Sequence, residues 1–230
     1  MADAVSVPLS GDAHIDPQIS GAMWTDGTDD GLLVLTYSFP TSSSQYAANY
    51  GAYDEPQDGF QGFTQVQKDA AVSALEAWSN VSGITFVEAS DPATADIRFG
   101  MTSATTLGTA HAYGPSNASD GAGGDIWFDS DRSWDFTLGG HGYMTLMHEI
   151  GHALGLSHSH ESSGSSTTAH IDHDWIGYTV MSYRDNPQDA IDYYETHEYP
   201  TTIMAHDIEA VQYLYGASPD YNNGDTSYSW

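Results

Sequence analysis

The run His148-Glu149-Ile150-Gly151-His152-Ala153-Leu154-Gly155-Leu156-Ser157-His158 restricts this 230-residue chain more than any other feature. Residues four apart on a helix differ by about 40° around the axis and about 6 Å along it, so His148 and His152 present their imidazoles to one point. Glu149 lies beside that point, free to hydrogen-bond a water without ligating a metal. Gly155 permits the left-handed turn that stops the helix and brings His158 round as a third ligand. The helix is apolar around these polar groups (Met144, Leu146, Met147, Ile150, Leu154). Burying two imidazoles and a carboxylate without partners costs several kcal/mol, which a metal ion offsets. Three neutral nitrogens with one open position describe a catalytic zinc site, whereas a structural site is closed by a fourth protein ligand.

Composition narrows the remaining possibilities. The chain has no cysteine, so thiolate ligands, thiolate nucleophiles and disulfides are excluded, while 11 histidines supply imidazole. Asp and Glu outnumber Lys and Arg by 32 to 4, giving a formal charge of -28. Such a surface repels phosphate backbones and anionic headgroups, so no nucleic-acid partner is expected. No run approaches the ~18 apolar residues of a membrane span, so no membrane insertion is expected, and residues 1–30 lack the basic start and apolar run of a secretory signal.

Residues 1–30 carry Asp3, Asp12, Asp16, Asp26, Asp29 and Asp30 among Gly, Ser and Thr without a period, and read as an acidic, flexible, solvated arm. A buried strand is expected over 32–39 and a helix from Thr64, where Thr64 and Gln67 suit a capping box and Val66, Ala70, Ala74, Leu75 and Trp78 share a face. Strands follow at 84–87, 96–99, 109–113 and 125–128, then the helix at about 142–154 and a last helix at about 206–215, with Ile208, Val211 and Leu214 inward. The expected fold is α/β (α+β): a twisted, mixed but largely parallel sheet with two main helices, a zinc cleft and a C-terminal helix. His141, His160, His170, His173, His197 and His206 read as surface imidazoles.

The extended motif is the metzincin signature, and the resemblance runs from Leu32 onward. Val180-Met181-Ser182-Tyr183 looks like the Met-turn, which puts Met181 beneath the three histidines as a structural residue. Tyr183 matches the tyrosine that in serralysins and astacins ligates zinc or swings to the substrate oxyanion. Residues 203–216 resemble the C-terminal helix of the serralysin catalytic domain. The resemblance therefore implies a catalytic domain over 31–217, and a 218–230 tail similar to the start of a calcium-binding repeat domain that is absent. Ser159-His160 after the third histidine is nearer the matrixins, as is the stretch from Ala110 to Asp129. Trp127 stands where the matrixin pattern has a histidine for a second zinc. Asp125 and Asp129, with glycine-loop carbonyls, are the candidate calcium ligands.

What the resemblance implies is a secreted, extracellular, monomeric zinc-dependent endopeptidase acting on protein or peptide substrates. Zn2+ is held by His148, His152 and His158, with Tyr183 as a further candidate ligand and Glu149 as general base. Ala110, His111, Ala112 and Tyr113 form the strand that an extended substrate would pair with. Two alternatives stay open: a matrixin-like zinc protease, and a non-catalytic binding module stabilised by zinc and calcium.

The charge yields a prediction of its own. A net charge of -28 with only Lys68, Arg98, Arg132 and Arg184 as bases strains the folded state by self-repulsion. The Debye length shrinks from ~10 Å at 0.1 M to ~3 Å at 1 M salt. The melting temperature of the zinc-loaded chain should therefore rise between about 0.1 and 2 M potassium chloride, without calcium. A flat or falling series would refute a salt-adapted surface, and a rise seen only with calcium would assign the acidity to ion sites.

Overall fold

The computed structural model describes residues 2–28, 32–51, 53–104, 108–161, 168–188, 199–219 and 221. Seven strands and three α-helices are found among them: β1 (Asp3–Ser6), β2 (Ala22–Thr25), β3 (Leu33–Ser38), α1 (Gln65–Val81), β4 (Ile84–Glu88), β5 (Ile97–Thr102), β6 (Ala110–Ala112), β7 (Ile126–Asp129), α2 (His141–Ala153) and α3 (Ala205–Tyr215). The main sheet has the order β4-β3-β5-β7-β6. Its pairs are parallel except the last, where Ala110, His111 and Ala112 face Phe128, Trp127 and Ile126 in antiparallel register. The mixed, largely parallel sheet agrees with the expectation from sequence. β5 is buried at all six positions, as a central strand covered on both faces must be.

Helix α1 begins at the expected capping box, with Gln67 Oε1 accepting from Thr64 N at 2.7 Å. Its buried stripe is Ala70, Ala71, Ala74, Leu75 and Trp78. Val66, expected on that stripe, is exposed, because the first turn precedes the helix's contact with the core. Eleven of the thirteen α2 residues are buried, including His148 and Glu149. Trp78 ties the two helices by donating its indole N–H to Met147 O at 3.1 Å. In α3, Val211 and Leu214 are buried as expected and Ile208 is half-buried.

The expectation of a solvated arm over residues 1–30 is corrected by the structure. β1 pairs with β2 antiparallel, and Ile19 and Trp24 enter the core. Trp24 donates its indole N–H to Ala153 O (2.8 Å) and its amide to Tyr215 Oη (3.0 Å), while the Tyr215 hydroxyl donates to Leu154 O (2.7 Å). The segment lacks a period because it attaches through isolated anchors rather than one amphipathic face. Asp16 is satisfied locally, accepting from Ser10 N, Ser10 Oγ and Gly11 N.

Since Trp24 plugs the sheet, α2 and α3 together, Trp24→Ala should cost about 3–5 kcal/mol, the range for truncating a buried large aromatic residue. Urea unfolding measures it. A loss below about 1 kcal/mol, the size of an ordinary surface change, would mean that the segment is peripheral to stability.

Candidate metal centre

Helix α2 ends in a Schellman motif, with Gly155 N donating to His152 O and Leu156 N to Gly151 O, both at 2.9 Å. Gly155 sits at φ +99°, and a Cβ there would collide with Ala22 O. The outgoing chain is gripped by the N-terminal segment: Ser20 N donates to Gly155 O and Ser157 N to Gln18 O, both at 2.8 Å. This fixes the direction in which residue 158 leaves the helix. Met181 lies fully buried beneath it, and a Cβ on Gly151 would come within 2.7 Å of its Sδ, so the small residue between the two helical histidines makes room for the thioether.

The three rings converge. His158 Nε2 lies 3.2 Å from His148 Nε2 and 2.9 Å from His152 Nε2. Each Nδ1 faces an acceptor: Val180 O for His148 (2.7 Å), Leu156 O for His152 (3.0 Å) and a Glu161 carboxylate oxygen for His158 (3.1 Å). These partners assign the ring protons to Nδ1 and leave a lone pair on every Nε2. Three lone pairs therefore meet, with one nearby proton, that of the Tyr183 hydroxyl at 2.7 Å from His158 Nε2. Such a cluster calls for a cation, and neutral imidazole nitrogens without thiolates suit zinc. Burial, then the neighbouring histidines, hold His148 well below the ordinary histidine range, and His158 is pushed down to about 2 by the same causes. His152 is lowered chiefly by burial. All three are in the ligating form.

Glu149 is buried, burial pushes its pKa up to about 8, and its Oε2 has no hydrogen-bond partner among the described residues. It lines two adjoining cavities, of about 350 and 300 Å³. Ala110, His111, Ala112, His152, His158 and Tyr183 share the first; Met144, Thr145, His148 and Arg132 are among those sharing the second. The edge strand β6 thus borders the cleft. Tyr113, grouped with it from sequence, does not line that cleft: its hydroxyl donates to the buried Glu55 at 2.9 Å, and His111 Nε2 lies 2.9 Å from the same carboxylate.

The two candidate calcium ligands are not brought together. Asp125 immediately precedes β7 and Asp129 is its last residue, about 13 Å apart at strand rise, too far to share one ion. Asp125 is fully buried and accepts from Arg98 Nε, Arg98 Nη2 and Tyr50 Oη, each at 2.7 Å. Arg98 Nη2 also donates to the loop carbonyl Gly121 O. A guanidinium therefore occupies the place given to a metal cation. Asp129 accepts from Asp131 N and lies 3.6 Å from Arg132.

Several supporting groups escape sequence reasoning. Asp207, fully buried, accepts from Thr179 Oγ1 (2.6 Å), Val180 N (2.9 Å) and Met204 N (3.0 Å), so α3 fixes the turn whose carbonyl holds His148. Glu161 orients His158, and its only signal is a spacing of three residues. His160 and His206, read as surface imidazoles, are largely buried, and the His160 ring stacks on His158. His197 and the 222–230 part of the tail lie outside the described residues.

Comparison with known proteins agrees with this geometry. A family model described as matrixin matches residues 47–168. The metalloprotease AprA of Pseudomonas entomophila is 32% identical over 223 residues, covering 91% of this chain and 44% of that protein. Metallopeptidase AprA of Pseudomonas marginalis is 32% identical, covering 91% of this chain and 46% of its own length. Serralysin of Proteus mirabilis is 32% identical, covering 85% and 42%. The chain spans less than half the length of these relatives.

The turn at Gly155 supplies a test. Gly155→Ala should lower stability by more than about 1 kcal/mol, since its φ is positive and its Cβ would meet backbone. It should also weaken zinc binding by moving His158. Gly108→Ala, at φ +77° with open space around it, should lose some stability and keep its zinc affinity. Urea unfolding and competition with a zinc-sensitive dye measure the two effects. Equal zinc affinity in both variants would show that the turn does not position His158.

Proposed function

Because this chain belongs to the matrixin family of metallopeptidases, we propose that it is a secreted zinc-dependent endopeptidase, with His148, His152 and His158 as zinc ligands. The observation that carries this reading is the buried Glu149 carboxylate, one oxygen of it without a hydrogen-bond partner among the described residues, lining the cleft beside three converging imidazole lone pairs. A binding module has no use for such a group, and its burial is costly.

Zinc, when bound, supplies Lewis acidity that acidifies water and polarises a carbonyl. The chain's own groups do the rest. Glu149, whose carboxylate lines the cleft beside the three histidines, accepts the proton of the attacking water. The same carboxyl then returns the proton to the leaving amine nitrogen. Tyr183 donates its hydroxyl to the oxyanion formed at the carbonyl carbon, a bond stronger in the transition state than in the ground state. β6 borders the cleft as the sheet's edge strand and offers backbone groups to an extended peptide. Extracellular action fits the acidic surface.

Glu149→Gln should retain zinc, because the carboxylate is not a ligand, and should lose activity by about 10²- to 10⁴-fold, the usual contribution of a positioned acid-base group. Casein hydrolysis and metal content of the same preparation measure both. Near-normal turnover in zinc-loaded Glu149→Gln would overturn the assignment. So would wild-type casein hydrolysis that persists after zinc is removed with a chelator.

A further inference from the structure

Away from the cleft, His14, His173 and His206 form a second all-histidine cluster. They come from three separate stretches: the N-terminal segment, a short 3-10 turn at Ile171–His173, and the first turn of α3. One ligating nitrogen from each lies within 4.8 Å of the others, the limit that also encloses the cleft histidines. Ring centroids are 4.8, 4.8 and 5.3 Å apart, against 4.5, 4.6 and 5.1 Å for His148, His152 and His158.

The surroundings also match. His173 Nδ1 and His206 Nε2 are 3.1 Å apart. The far nitrogen of His206 faces Glu209 Oε2 at 3.1 Å, as that of His158 faces Glu161 at 3.1 Å, and both carboxylates lie three residues on. This bond keeps the His206 proton on Nδ1 and turns the Nε2 lone pair toward His173, the carboxylate–histidine arrangement common behind metal ligands. His206 is buried and Tyr178 stacks on its ring at 5.0 Å, which locks its orientation.

We propose that His14, His173 and His206 form a second, structural zinc site that clips the N-terminal segment to α3 and the turn at 171–173. Imidazole nitrogens favour zinc and similar transition metals over calcium or magnesium. The -28 charge concentrates divalent cations near the surface. A zinc here closes chain loops of roughly 160 and 190 residues, a cross-link in a chain that has no cysteine to make one. It also steadies the segment that grips Gly155 and Ser157, and so supports the path to His158.

The competing arrangement is metal-free, with His173 Nδ1–H donating to His206 Nε2, and zinc stoichiometry separates the two. The full chain, dialysed against micromolar free zinc, should hold two zinc ions. His14→Ala, which removes an exposed ligand and leaves the core intact, should hold one; His173→Gln should do the same. His148→Ala should also hold one, having lost the cleft ion. A zinc count in His14→Ala and His173→Gln equal to that of the wild type would overturn the proposal. A failure of the cleft reading would show instead as an unchanged count in His148→Ala, which leaves the comparison of wild type with His14→Ala intact.

Discussion

Three imidazole lone pairs facing one another within hydrogen-bond distance repel, and most of this domain is arranged to hold them there. A helix can supply two of them from its own geometry. The third needs a reversal at Gly155, which only a residue without Cβ fits against Ala22 O. Each ring also needs an acceptor behind it, and these come from Val180, Leu156 and Glu161. Val180 is held in turn by Asp207 at the start of α3. The site is thus preorganised by segments spread along the whole chain, so that little ordering is left to accompany metal binding.

The parts legible in the sequence are those carried by local rules. The capping box at Thr64, the apolar face of α1, the fully apolar surround of α2 and the glycine stop at 155 all follow from spacing within one segment. The parts that were not legible depend on pairing across long separations. Trp24 reads as an isolated aromatic in an acidic, aperiodic stretch, and its partners Ala153 and Tyr215 are far along the chain. Asp125 looks like a calcium ligand until Arg98, 27 residues earlier, is seen to fill its coordination sphere. His206 and Asp207 look like the polar start of a surface helix, yet both are buried against the turn at 178–180.

The few bases are spent unevenly. Arg98 is buried on Asp125 and under the Tyr46 ring, and Arg184 lies 3.2 Å from the buried Asp174. Burial alone would lower Arg98, but the Asp125 carboxylate raises it above its ordinary value, so the guanidinium is charged throughout. A charge pair of this kind is costly to break, since the surviving partner is left buried and uncompensated. Two of the four cations therefore serve the interior, and the exterior is left with Lys68 and Arg132 against most of the acids. Solubility and salt response follow from that partition rather than from the fold.

The anchoring of Trp24 on Tyr215, 191 residues away, sets the order in which the molecule can be completed during its synthesis. The β1–β2 hairpin emerges from the ribosome early and can pair with itself at once. Its seat is made of the end of α2 and of α3, which are translated much later. Until then Trp24 lacks the Tyr215 hydroxyl that accepts its amide, and the segment that grips the chain leaving Gly155 is not fully seated. Long-range closure of this kind is slow compared with local pairing. The cleft consequently takes its shape only after nearly the whole domain has been made.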